Sequence, residues 1–379
     1  MDFSSSTHRK HWLFTRETLR GVQEETGKLA AQVCAAGVPP EGSRSFAVKR
    51  SKAGDQTNAS ADGGKEGPSA KPEIKIEGGV PACDSPEGGG SGNGSSGKKR
   101  PAPSSAAAQP ILTVEEESLV KSFYAKKIQE TCGRDSTDED LRRSDKVQAT
   151  AVAYFQRFYL SNSVLEHDPK ILILTCVFLA SKTEEQITNV NLLAKATGRD
   201  ELQILGKELT LLQGLSFHLA VFHPYRALPA LVEGARLRAK AAGIPPQPDR
   251  IMALHDGTRA ALDDILVTNL PLLHPPSRLA LAALLRESRR MEAPPFDVEA
   301  MLGREFGDRA DWKDVLREAD QLARELDENS VLPYRVEKDK LIAVNKKLKK
   351  HALWSEKRSR SAADGGSERR KSKKIKTEA

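Results

Sequence analysis

Residues 168–182 read DPKILILTCVFLASK, and this stretch decides the fold class. Asp168 can accept a backbone N–H at a helix start, and Pro169 stands at the first helical position, where proline is best tolerated. From Ile171 to Ala180 the chain is apolar except for one threonine. A surface helix would carry charge along one face, whereas this run is apolar all round. The spacing therefore predicts a helix ending near Lys182 and enclosed on every side. It is too short to cross a bilayer, which needs about 20 residues. Its covering must come from neighbouring helices.

The flanking sequence supplies them. Thr113 followed by Glu115, Glu116 and Glu117 reads as a cap for a helix over 113–132, stopped by Gly133. Val147, Ala151, Tyr154, Phe155 and Phe158 share one face of a helix over about 139–160. A short helix is expected over 189–196. Another over 199–215 carries Leu202, Leu205, Leu209 and Leu212, read as its core face. A second set starts at His223-Pro224, with helices expected over 224–241, 248–268, 275–290, 297–305 and 309–329. Gly243, Pro245, Pro246, Pro271, Pro275, Pro276, Pro294 and Pro295 punctuate this set. Its third helix, PPSRLALAALLRE, again has an apolar middle, so the two halves share one order of elements and read as an internal duplication. A helix over 15–36, capped by Thr15, precedes both sets. A helix over 334–354, basic after Asn345, follows them. The expected fold is all-α: two tandem five-helix repeats with flanking N- and C-terminal helices.

Composition agrees. Aromatic residues are 5% and charged residues 29% of the 379 residues, a balance that favours helices over a β-sandwich. Cys34, Cys83, Cys132 and Cys176 form no CxxC pair, which argues against a zinc ribbon and a disulfide framework. No apolar leader follows Met1, and a soluble intracellular protein is expected. The net charge of +7 is unevenly placed. Residues 335–379 hold 16 basic and 6 acidic side chains, so the rest of the chain carries a net −3. A nearly neutral body argues against a folded DNA-binding surface, which needs positive charge for phosphates. Residues 38–110 contain 13 Gly, 9 Pro and 11 Ser, a composition that cannot offset its ordering entropy. The expected organisation is an N-terminal segment and helix over 1–37, a disordered insertion over 38–110, repeats over 111–222 and 223–332, a helix over 333–355 and a basic disordered tail over 356–379.

Catalytic motifs fail on context. Gly92 to Gly97 (GNGSSG) matches a dinucleotide fingerprint, but no apolar strand precedes it, and Lys99 stands where a phosphate loop needs Ser or Thr. The eight histidines contain no HExxH, and no serine sits in G-x-S-x-G. No catalytic residue, metal site or cofactor is expected.

Two stretches carry a family resemblance. YFQRFYLSNSVLEHDPKILILTCVFLASKTEE (154–185) resembles the second and third helices of a cyclin box. ELQILGKELTLLQGLSFHLAVFHPYR (201–226) resembles its fifth helix and the passage into the second repeat. HRKHWLFTRETL (8–19), with FYLSNSV and FHPYR, is similar to the H-type members of the cyclin family. The resemblance implies a subunit without catalysis of its own. It would bind a cyclin-dependent kinase and hold the kinase's regulatory helix inward, so that the active-site Lys–Glu pair can form. In the family pattern a Lys ending the third helix and a Glu in the fifth contact the kinase; the matching positions are Lys182 and Glu208. Trp12 and Phe14 either pack on the body or meet the kinase.

The H-type likeness further implies the CDK-activating complex of TFIIH, with a RING-finger assembly factor, action on the RNA polymerase II C-terminal domain and on cell-cycle kinases, and a nuclear location. Specific DNA binding and membrane association are not expected. Rival readings are a cyclin of the Mediator or elongation kinases and a TFIIB-like DNA-binding protein. Arg369, Arg370, Lys371, Lys373, Lys374 and Lys376 form a basic cluster of the kind nuclear import receptors read. Lys98-Lys99-Arg100 is a second candidate, and Ile74–Glu77 and Ile375–Glu378 fit the sumoylation pattern.

Overall fold

A helix starts where a side chain can satisfy its free N–H groups, and two such starts, at Thr113 and Asp168, frame the first repeat. The computed structural model describes Phe3 and residues 5–36, 112–134, 136–327 and 339–350. Thr113 Oγ1 accepts from Glu116 N–H (3.2 Å) and Thr113 N–H donates to Glu116 Oε2 (3.1 Å), a complete capping box opening α3, Val114–Cys132. Ser144 precedes α4, Asp145–Ser161. Asp168 accepts from Lys170 N–H (2.9 Å) at the head of α5, Pro169–Thr183. Beyond it run α6, Val190–Thr197, α7, Glu201–Gly206, and α8, Glu208–Gly214.

The second repeat comprises α9, Ala227–Ala241, α10, Pro248–Leu266, α11, Pro276–Arg290, α12, Val298–Phe306, and α13, Trp312–Asp327. At the N-terminus lie α1, Thr7–Trp12, and α2, Arg16–Ala36; α14 covers 339–350. No strand occurs among the described residues. The all-α, two-repeat architecture is therefore the observed one.

Each repeat closes around its most apolar helix. In α5 all residues from Leu172 to Val177 are buried, with Ile171 and Phe178 partly covered. It packs against α3, α4, α7 and α8. Tyr154, Phe155, Phe158, Leu172, Cys176 and Leu179, the expected core residues, are each 3% exposed or less. In α11, Leu279 to Leu285 are all buried, and α9, α10, α12 and α13 surround it. A small third cluster joins Trp12, Leu19, Leu160 and Leu272, so the N-terminal helices seal the seam between repeats.

Three expected boundaries differ, each for a tertiary reason. The helix expected over 139–160 breaks into a 3-10 turn, Glu139–Leu141, and α4. Gln186, distant in sequence, accepts from Ser144 N–H (3.2 Å) and donates to Ser144 Oγ (2.7 Å), while Arg143 N–H donates to Cys132 O (2.8 Å). These contacts hold 142–144 extended. The helix expected over 199–215 splits at Lys207. In an unbroken helix Ile204 O would accept from Glu208 N–H; here it accepts from Thr175 Oγ1 (3.1 Å) and Lys207 N–H (3.3 Å). Residues 7–12, ahead of the helix expected over 15–36, form α1, with His8 and Trp12, one turn apart, both inserted into the body. Residues 38–110, the tail over 356–379 and the ends of the expected 334–354 helix lie outside the described residues.

Gly214 permits the closest approach in the first repeat. A Cβ there would lie 2.7 Å from Phe158 Cε2, so only glycine lets α8 press onto α4.

Candidate functional site

Two helix ends deliver the central pair. Helix α5 stops just beyond Lys182 because Glu185 takes a left-handed conformation (φ 58°). Gln186 N–H then closes on Ser181 O (2.8 Å) and Glu185 N–H on Lys182 O (3.3 Å), the double closure of a Schellman end. The break at Lys207 starts α8 on Glu208. Lys182 Nζ donates to Glu208 Oε1, and their side chains remain 39% and 22% exposed. Lys182 Nζ also stands 4.6 Å from the Phe178 ring centroid, a cation–π contact that orients the ammonium. The sequence paired these two positions only through resemblance; the structure brings them into contact.

The leucines beside them are not core. Leu202, Leu205 and Leu209 are 74%, 36% and 59% exposed, and Leu212 is half-buried. The core contacts of this segment come instead from Ile204, Leu211 and Leu215, all fully buried. This corrects the reading of the leucine stripe as a core face. A periodic stripe states that one face is apolar, not which way the helix is turned. Thr175 turns it, by hydrogen-bonding Ile204 O. Three outward leucines flanking Glu208 form an exposed apolar ridge, the kind of surface that marks an interaction site.

Phe217, 60% exposed with φ 57°, extends the exposed apolar positions past α8. Ser216 before it is also left-handed (φ 51°), two adjacent non-glycine residues in a disfavoured region. Neither Phe178, Phe217 nor the orientation of the ridge was found by sequence reasoning. Two apolar residues straddling an isolated acid at 208 were the available signal.

Beyond Lys182 a groove of about 450 Å³ opens, lined among others by Lys146, Thr183, Glu184, His223 and Arg226. Glu184 is committed there, accepting from Thr150 Oγ1 (2.8 Å) and pairing with Lys146 (3.4 Å).

Trp12 and Phe14 lie elsewhere. Trp12 is fully buried, with its ring 5.1 Å from the Arg157 guanidinium carbon. Phe14 is half-buried, and its N–H donates to Leu272 O (2.8 Å). Of the two roles weighed for Trp12 the structure takes packing. Its indole has no surface for a partner in this conformation. Arg157 is 1% exposed and donates to Ala220 O (3.4 Å). Burial lowers its pKa to about 9, leaving it charged at neutral pH. Burial raises the Cys132 thiol to about 12 and the Cys176 thiol well above its usual range, so neither is a nucleophile. The basic cluster at 369–376 lies outside the described residues.

Residues 138–220 match the family model described as the cyclin N-terminal domain. The chain is 31% identical over 283 residues to cyclin-H1-1 of Arabidopsis thaliana, covering 75% of this chain and 69% of that protein. It is 34% identical over 186 residues to cyclin-H of Xenopus laevis, covering 47% of this chain but only 54% of the frog protein. Among solved structures, a chain of the CAK complex of Chaetomium thermophilum bound to ATP-γ-S has the same fold. Its TM-score is 0.62 at 22% identity, covering 92% of this chain and 88% of that one.

Proposed function

This chain belongs to the cyclin family, and we propose that it is the regulatory subunit of a cyclin-dependent Ser/Thr kinase of the TFIIH/CDK-activating type. The carrying observation is the Lys182–Glu208 pair at the edge of a ridge of outward leucines. Such a surface has the parts a helix-binding site needs. Leu202, Leu205 and Leu209 supply apolar area, Lys182 has donors for the free carbonyls at a helix end, and Glu208 accepts N–H groups. Docking there holds the kinase's regulatory helix inward and lets its Lys–Glu pair form. The catalytic groups all belong to the kinase. This chain contributes position.

The H-type relatives support the finer assignment. In it the partners are the kinase, a RING-finger assembly factor and TFIIH, and the substrates are the RNA polymerase II C-terminal domain and cell-cycle kinases. The site of action is the nucleus, with the basic cluster from Arg369 to Lys376 as the import signal. Affinity purification of the full chain, followed by identification of the bound kinase, tests the assignment. A CDK-activating kinase in the eluate supports it, and a Mediator or elongation kinase replaces it. The same purification from a Lys182→Ala/Glu208→Ala chain tests the surface, which predicts loss of the kinase.

A further inference from the structure

A small, largely enclosed cavity lies at the seam of the molecule, away from the leucine ridge. Its walls come from α1, α4, the connection over 221–224 and the second repeat. It gives the centre of a water-sized sphere about 20 Å³ in which to move. That is room for one water or one monatomic ion, since about 10–15 Å³ suffices. The polar residues on its wall are His8, Gln156, Arg157, His223 and His274; most of the rest is aliphatic.

Several polar groups on this wall are buried without partners. Arg157 Nη1 reaches Ala220 O at 3.4 Å, while Nη2 is buried without a partner. Both ring nitrogens of His274 and Nδ1 of His223 are also buried without partners. Burial and the nearby Arg278 and Arg16 lower the His274 pKa, so the ring is neutral and has one N–H that must find an acceptor. Two other wall residues are already engaged. Gln156 Nε2 donates to Leu266 O (2.8 Å) and Thr268 O (2.7 Å), and His8 Nδ1 accepts from Phe222 N–H (3.1 Å). Among the described residues no carboxylate pairs with Arg157, although the residue is only 1% exposed. Trp12 covers one guanidinium face, which offsets part of the desolvation but accepts no in-plane N–H.

An isolated buried charge is costly, and apolar walls strengthen any counter-charge placed beside it. A water could accept the free N–H groups but would leave the positive charge uncompensated. We propose that the cavity binds a single halide ion, chloride in solution, held by Arg157 Nη2–H and the His274 N–H. The ion would fasten α1 to both repeats, because its ligands and walls belong to all three.

The full chain, melted at a constant 300 mM ionic strength, tests this as sodium gluconate is replaced by sodium bromide. Gluconate is too large for the cavity. The expected Tm rise is about 2–4 °C, the size set by an affinity in the tens of millimolar. His274→Phe fills the space while keeping Arg157, and should abolish the difference between the two salts. Arg157→Gln should do the same if it folds. Crystals grown in bromide should show an anomalous peak within hydrogen-bond reach of Arg157 Nη2. An unchanged Tm, an equal salt response in His274→Phe, or density for water without an anomalous peak would each overturn the proposal.

Discussion

Truncating Lys182 and Glu208 to alanine, singly and together, separates a docking pair from an ordinary surface ion pair. In the free chain the two side chains are 39% and 22% exposed, so solvent screens their attraction. Such pairs contribute about 0–1 kcal/mol, and each truncation should move the melting temperature by under about 3 °C. Docking changes the environment. A partner helix laid on the ridge strips water from both groups, and removing one member of a desolvated hydrogen-bonded pair costs about 2–5 kcal/mol, or 30-fold or more in affinity.

Leu209 gives an independent magnitude. It is 59% exposed, and fully burying a leucine is worth about 1.5–3 kcal/mol, so covering what remains should contribute about 1–2 kcal/mol. Leu209→Ala should therefore weaken kinase binding roughly 5- to 30-fold while leaving stability near wild type. Calorimetric titration of the purified kinase into each variant, beside thermal melts, measures both quantities. The double variant should lose less than the sum of the singles, since the two residues share one interaction. Wild-type affinity in both single charge variants would refute the docking assignment. A large loss of Tm in either would show that the pair holds the fold instead.

Three further outcomes follow from specific contacts. Gly214→Ala places a methyl against Phe158 and should destabilise the first repeat by about 1–3 kcal/mol, read as a lower denaturation midpoint, with α8 and Glu208 displaced. His8 is held neutral, its pKa lowered to about 2 by burial and then by Arg157. Its unfolded form protonates near 6.5, so its stabilisation is complete above that pH and is lost as pH falls toward 2. The slope approaches about 1.4 kcal/mol per pH unit. Buried His223 and His274, also lowered mainly by burial, act in the same direction. Melts from pH 7.5 to 5 should show this decline, reduced in His8→Phe. Deleting residues 357–379 should reduce nuclear accumulation of a fluorescent fusion and leave kinase activation in vitro intact. The same deletion carrying Lys182→Ala and Glu208→Ala removes import by way of the kinase, and a nuclear signal in that chain would reject the cluster as the address.

The helical architecture was legible along the chain alone. A ten-residue apolar run, a Thr113 cap followed by three glutamates and prolines at helix heads act within a few residues of chain, so their consequences are local. They marked α3, α5 and α9 to α13 to within a few residues. The same locality explains why Lys182 fell at a helix end, where its ammonium could reach the surface. The tertiary structure alone decided which faces point outward. Leu202, Leu205 and Leu209 have the spacing of a core stripe, and only Thr175, reaching Ile204 O from another helix, turns them to solvent and starts a new helix at Glu208. Gln186 sets the head of α4 from a distance of 42 residues. Trp12 is enclosed because the second repeat supplies Leu272 to cover it. Each of these outcomes depends on one long-range hydrogen bond or a shared apolar contact. Periodicity reports the pattern along a helix and is silent on its rotation against a neighbour, so these could be learned only from the assembled fold.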